Sequence, residues 1–162
     1  DGKGPRVPAF TLGRVVDMNI TDANNMGAAM APAAADTISR FLRDSGTKPT
    51  DYDMILTGDL GRIGSELLYD LLNKDGIDIT SVHRDAGVMM FDAETQDVHA
   101  GGSGCGCSAS VLNSYVMHRM EEGKLKNILF MSTGALMSPT SSYQGESIPG
   151  IAHAVIIERV EE

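Results

Sequence analysis

The chain has 162 residues, enough for one domain or half of a larger protein and for a sizeable buried core. Its formal net charge of -9 argues against nucleic acid as a partner, because phosphate binding needs a basic face, and disfavours purely electrostatic attachment to anionic lipid. No apolar run approaches the ~20 residues needed to cross a bilayer, and no signal peptide is visible.

The chain opens "DGKGPRV" without an initiator Met and is read as a fragment of a longer protein. Residues 6–17 are rich in β-formers and predict a strand. A polar loop follows, and Pro32 is placed in the first turn of a helix in which Ile38, Phe41 and Leu42 share a face and Gly46 is the stop. Residues 54–57 predict a short buried strand. "GDLGRIG" is a loop, after which Ser65 is expected to cap a helix striped by Leu67, Leu68, Leu71 and Leu72 and ended at Asp75-Gly76. Between Val82 and Gly102, "VMMF" and "VHAGG" read as two strands around the polar turn "DAETQD". A helix is expected over 109–122, with Leu112, Val116 and Met120 on one face. "NILFMSTG" and "IAHAVIIERV" are buried strands separated by a Pro/Gly/Ser loop. Helices alternating with strands, followed by two closing strands, indicate an α/β layered fold with a mixed sheet.

Two stretches carry candidate chemistry. In "ILTGDLGRIGSELL" a buried strand runs through a glycine loop into a helix, a junction that offers backbone N–H groups and a helix dipole to an anion. It lacks the Gly-Lys-Ser/Thr of a Walker loop, and its glycines do not have the dinucleotide-binding spacing. On spacing alone a plain tight connection is the favoured explanation. Asp59 would repel a bare anion there, an objection that a bridging cation removes.

The second stretch, "GGSGCGCSAS" at 101–110, holds both cysteines of the chain. A disulfide between residues one apart closes a strained ring, so the thiols are read as reduced. A zinc half-site would need two more ligands, and no second cluster supplies them. A thiol near a helix start tends toward a lowered pKa, but catalysis also needs a base within reach. His83, His99, His118 and His153 are the available imidazoles, and a structural role suits each of them. The stretch remains open between a close-packed glycine loop and a ligand pocket. Both loops would lie at the ends of neighbouring strands, where open α/β sheets place ligands. The small residues of "NNMGAAMAPAAADT" suit a close-packed helix start.

The ordered segments "MGAAMAPAAADT", "YDMILTGDLG", "GGSGCGCSAS", "GKLKNILFMSTGALMSP" and "IPGIAHAVIIER" together resemble the C-terminal half of the stage V sporulation AD family of the thiolase-like superfamily, over nearly the whole chain. The resemblance implies a C-terminal half-domain, residues 1–162, of a five-layered αβαβα fold: a mixed five-stranded sheet with helices on both faces. The N-terminal half, which carries the superfamily's nucleophilic Cys, would be absent. Where related condensing enzymes begin a loop with a catalytic His, this chain has Gly58, then Asp59 and Leu60. Where they place a catalytic Asn, it has Cys105, preceded by Gly104 and followed by Cys107 and Ser108 at the helix start. Thiolases carry a Cys in a comparable loop, so an acyltransferase acting on acyl-CoA is the alternative reading. Loss of the His favours a relic that keeps the pocket and drops the reaction. The resemblance further implies binding of dipicolinic acid, free or as its calcium chelate, and no metal or cofactor of the protein's own. It implies association with other stage V sporulation membrane proteins, a peripheral place on the forespore inner membrane, and a homodimer in full-length form.

Overall fold

The computed structural model describes residues 4–102 and 104–160. Ser103, within the glycine-rich stretch, lies outside them, as do both chain ends of the expected 1–162 half-domain.

In chain order the elements are β1 (Phe10–Thr11), α1 (Met26–Ser45), a 3-10 turn (Pro49–Asp51), β2 (Met54–Thr57), α2 (Gly61–Lys74), β3 (His83–Asp85) and α3 (Ala86–Met89). Then come α4 (Cys105–Val111), a π-helical stretch (Leu112–Val116), α5 (Met117–Glu121), β4 (Asn127–Ala135), α6 (Pro139–Tyr143) and β5 (Gly150–Glu158). The five strands form one mixed sheet in the order β1-β5-β4-β2-β3. β2 lies parallel to both β3 and β4, whereas β5 runs antiparallel to β4 and to β1.

Alternation along the central strands divides two cores. Ile55, Leu129 and Met131 face α1 and α2, where Ile38, Phe41, Leu68 and Leu72 meet them. Met54, Leu56 and Ile128 face the other side, against Val111, Val116 and Met120 of the helix from α4 to α5. The expected mixed five-stranded sheet with helices on both faces is present.

Small residues set how closely α1 approaches its neighbours. A Cβ at Gly27 would lie 2.4 Å from the Leu60 carbonyl oxygen, and one at Gly64 would lie 2.8 Å from the Gly27 Cα. The two helices therefore touch through backbone.

Four expectations are corrected. The strand over 6–17 is regular only at Phe10–Thr11, flanked by single bridges from Arg6 to Glu158 and from Val16 to Gly150. Pro8 has no N–H to give the ladder, and Gly13 gives its own to His153 Nδ1 at 3.0 Å. Pro32 lies inside α1, which begins six residues earlier, at Met26. The Asn25 side chain caps that start, accepting from the Ala28 N–H, and burial of Ala29, Met30, Ala31, Ala33 and Ala34 outweighs the bond Pro32 cannot make. Ser65 does not cap α2. It sits within the helix, and its hydroxyl donates to the Gly61 carbonyl at 2.8 Å. The two strands expected between Val82 and Gly102 do not form: Val88 and Met89 lie in α3, and His99, at φ 49°, has the left-handed backbone that interrupts a strand. The strand present there is β3, just upstream.

Candidate functional site

Asp85, the last residue of β3, is 3% exposed and organises the turn between β2 and α2. Its Oδ2 accepts from the Thr57 hydroxyl at 2.6 Å and the Leu60 N–H at 2.9 Å. Its Oδ1 accepts from the N–H groups of Gly61 at 2.9 Å and Val88 at 3.1 Å. One carboxylate thus caps α2 from a distant strand and α3 from its own N-cap position. Burial pushes its pKa up, against the opposing pull of the four donors. The sequence reading missed this residue. The Asp before "AGVM" is a readable local cap for α3, but its reach to Leu60 and Gly61 depends on β3 lying beside β2.

The second glycine stretch meets the first at Asp59. The half-buried Asp59 carboxylate accepts from the Gly104 N–H at 2.6 Å and from the Thr133 hydroxyl at 2.9 Å. This ties the start of α4 to the end of β2 and to β4. Gly58, immediately after β2, is buried, and a Cβ there would lie 2.8 Å from Thr133 Oγ1 and 3.7 Å from Ser108 Cβ. Leu60 is 3% exposed and gives its side chain to the core against α1. Gly104, at φ 93°, is the residue before α4, and Cys105 is its exposed first residue. Cys107 is buried. Its thiol pKa is pushed up by burial first, and then by the charges of Asp59 and Asp85. The lowered pKa expected for a thiol near this helix start is therefore not found at Cys107: burial, with the two carboxylates adding to it, outweighs the helix dipole. Ser108 is half-buried.

The four imidazoles lie in different surroundings. His83, 2% exposed, joins the Tyr69 hydroxyl (2.8 Å at Nδ1) to the Thr57 hydroxyl (2.9 Å at Nε2), and burial lowers its pKa to about 4. His99 lies 3.7 Å from Asp97 at the surface, His118 lies beside Glu121 and Glu122, and His153 accepts from Gly13. Among the described residues, no group of three His, Cys, Asp or Glu side chains is placed to hold a metal ion. No helix there is long and apolar enough to cross a membrane.

Two cavities border the junction. One, of about 430 Å³, lies between the 23–27 loop, Asp59–Gly61 and the 98–102 segment. The other, of about 520 Å³, is walled by Met90, Phe91, Val98 and Cys107. Val98, His99, Gly101 and Gly102 face both, so the 98–102 segment is their shared partition. Its position is set by two backbone bonds: Arg62 N–H to the Ala100 carbonyl, and Gly102 N–H to the Gly87 carbonyl, each 2.7 Å.

Comparison with solved structures identifies this architecture. The 3-oxoacyl-[acyl-carrier-protein] synthase III of Aquifex aeolicus VF5 superposes with a TM-score of 0.51 at 14% identity, over 98% of this chain and 55% of that one. Human mitochondrial 3-ketoacyl-CoA thiolase gives 0.50 at 18% identity, over 96% of this chain and 30% of that one. At these identities the likeness shows the fold alone, which is thiolase-like. Stage V sporulation protein AD of Bacillus subtilis (strain 168) is 47% identical over 154 residues, covering 95% of this chain and 45% of the relative, so the chain spans less than half of that protein's length. A family model described as Stage V sporulation protein AD matches residues 1–158. The chain belongs to the stage V sporulation protein AD family.

Proposed function

We propose that this chain is the C-terminal half of a non-catalytic ligand-binding protein of sporulation, and that the ligand is dipicolinic acid, pyridine-2,6-dicarboxylate, taken with calcium for delivery into the developing spore. The observation that carries this reading is the Asp59–Gly104 bond, which joins both glycine loops beside two cavities. The binding residues are Gly58, Asp59, Leu60, Gly104, Cys105, Cys107 and Ser108, with Asp59 acting through its carboxylate. Met90, Phe91 and Val98 offer an apolar wall to a flat ring. The two carboxylates of the ligand face a different environment. The N–H groups of Leu60 and Gly61 are already given to Asp85, that of Asp59 to the Thr133 hydroxyl oxygen, and that of Gly104 to the Asp59 carboxylate. A bare dianion would meet the Asp59 carboxylate at the junction, whereas its calcium chelate presents a cation to it.

The missing reaction is supported by packing as well as by residue type. At Gly58, where the resemblance implies a catalytic His, Thr133 leaves little room for a side chain. The raised Cys107 pKa and the bonds that tie His83 to Thr57 and Tyr69 also favour a non-catalytic role. Docking onto the other stage V sporulation proteins at the forespore inner membrane, and a homodimeric full-length form, complete the reading.

Calorimetric titration of pyridine-2,6-dicarboxylate into the full-length protein, with and without calcium, tests it. Saturable binding is expected, tighter with calcium, and weakened about tenfold by Asp59→Ala, the size of one charge-assisted hydrogen bond. Absence of saturable binding under both conditions overturns it. The exposed Cys105 at the start of α4 favours one other reading, an acyltransferase. That reading requires an acyl-thioester by intact mass after incubation with acetyl-CoA.

A further inference from the structure

We infer that Asp85 and Thr57 are positioning residues for the glycine-loop site, acting through the 98–102 partition rather than by touching ligand; this rests on the site assignment of the preceding section.

All four acceptor positions of the Asp85 carboxylate are used, two donors to each oxygen. The donors belong to separate pieces of chain: the end of β2 (Thr57), the β2–α2 turn (Leu60, Gly61) and α3 (Val88). Two of these pieces lead directly to the partition. α2, begun at Gly61, carries Arg62, whose N–H holds Ala100. α3, capped by Asp85, carries Gly87, whose carbonyl holds Gly102. A Cβ at Gly87 would lie 2.4 Å from the Gly102 carbonyl oxygen, so the partition rests directly on α3. Asp85 faces neither of the two cavities that the partition divides.

Donor accounting fixes the direction of the chain that holds Asp85. The ionised carboxylate accepts only, so the Thr57 hydroxyl donates to it. That hydroxyl therefore accepts from His83, whose Nε2 carries the proton. His83 Nδ1 is then the acceptor for the Tyr69 hydroxyl. The series Tyr69, His83, Thr57, Asp85 runs one way, and each member is oriented by the one before. Thr57 is the central link. It is fully buried, and its hydroxyl is the one group that can both accept from His83 and donate to Asp85.

The test compares Thr57→Val, which keeps the branched shape and loses the hydroxyl, with Thr57→Ser, which keeps the hydroxyl, both in the full-length protein. Hydrogen exchange is followed at the Arg62 and Gly102 amides, with Leu129 in β4 as the reporter of global opening, alongside pyridine-2,6-dicarboxylate titration in the presence of calcium. Thr57→Val is expected to speed exchange at Gly102 and Arg62 about tenfold beyond any change at Leu129 and to weaken binding about tenfold. Thr57→Ser is expected to stay within about twofold of wild type in both. Equal acceleration at all three amides in Thr57→Val, or equal behaviour of the two variants, overturns the inference. If the wild-type protein does not bind the dicarboxylate, the functional reading fails by itself, and the exchange pattern still decides whether these residues hold the partition.

Discussion

Asp59 and Asp85 stand where an anionic ligand would otherwise meet the two glycine loops, so the backbone donors that such loops usually present are largely satisfied from within. What the junction presents is therefore a half-buried carboxylate beside apolar walls, the ground on which the ligand is proposed to enter with its cation. The same burial makes His83 a sensor of acid. With its pKa lowered to about 4 from 6.5, the folded protein refuses a proton that the unfolded chain accepts. Stability contributed by the neutral ring is complete above pH 6.5 and declines as pH falls from there toward 4. Protonation at Nδ1 would also force the Tyr69 hydroxyl to turn away. Between pH 7 and pH 5 the full-length protein is expected to lose about 2 kcal/mol through this group, read as a lower urea midpoint, and His83→Gln is expected to flatten that part of the profile. An unchanged slope in His83→Gln would refute the assignment.

At the scale of the element, the helix from α4 to α5 shows how side chains can reset a period. The sequence places Leu112, Val116 and Met120 on one face, and the structure buries Cys107, Val111, Val116 and Met120. Leu112 is half-buried and packs at the margin of that core. The step from Val111 to Val116 is five residues because Leu112–Val116 is π-helical. Two carbonyls of the preceding turn are served by side chains: Asn113 Nδ2 donates to Ala109 at 2.8 Å, and Ser114 Oγ donates to Ser110 at 2.6 Å. Removing one residue from the stretch should restore an uninterrupted α-helix with the same buried stripe. Deletion of the exposed Asn113 is accordingly expected to keep the fold and to change stability by no more than about 1 kcal/mol, because most of the packing is retained. Circular dichroism and a urea titration of the deletion variant measure this, and loss of cooperative unfolding would contradict it.

For the whole molecule, the sheet is the shared wall of two cores, and β4 is its central strand, paired with β2 on one side and β5 on the other. Leu129 faces α1 and α2, and Ile128 faces the helix from α4 to α5, both with no exposed surface. Leu129→Ala is expected to cost about 2–5 kcal/mol, and the loss should appear at amides on both faces, because opening β4 unpairs the strands that line both cores. Thermal unfolding with residue-resolved hydrogen exchange checks it; exchange that rises on the α1–α2 side alone would show two independent units.

Much of this protein was legible from residue order. Short apolar runs gave β2, β4 and β5, because a buried strand needs little more than a continuous apolar stretch between breakers. The Leu stripe gave α2, and Gly46, at φ 68°, ended α1 where a residue without a Cβ is favoured. The two glycine stretches stood out for the same local reason, and they do meet. What residue order did not reveal was long-range partnership. The cap of α2 comes from Asp85, 24 residues beyond Gly61, and only the parallel pairing of β3 with β2 brings it there. The Asp59–Gly104 bond spans 45 residues and likewise depends on the strand order. Pro32 inside α1, the helix in place of a strand at Val88 and the raised pKa of Cys107 share that cause. Propensity and spacing are local quantities, whereas burial, capping from a distance and the field at a thiol are properties of the assembled sheet, where packing outweighs preferences of about 1 kcal/mol per residue.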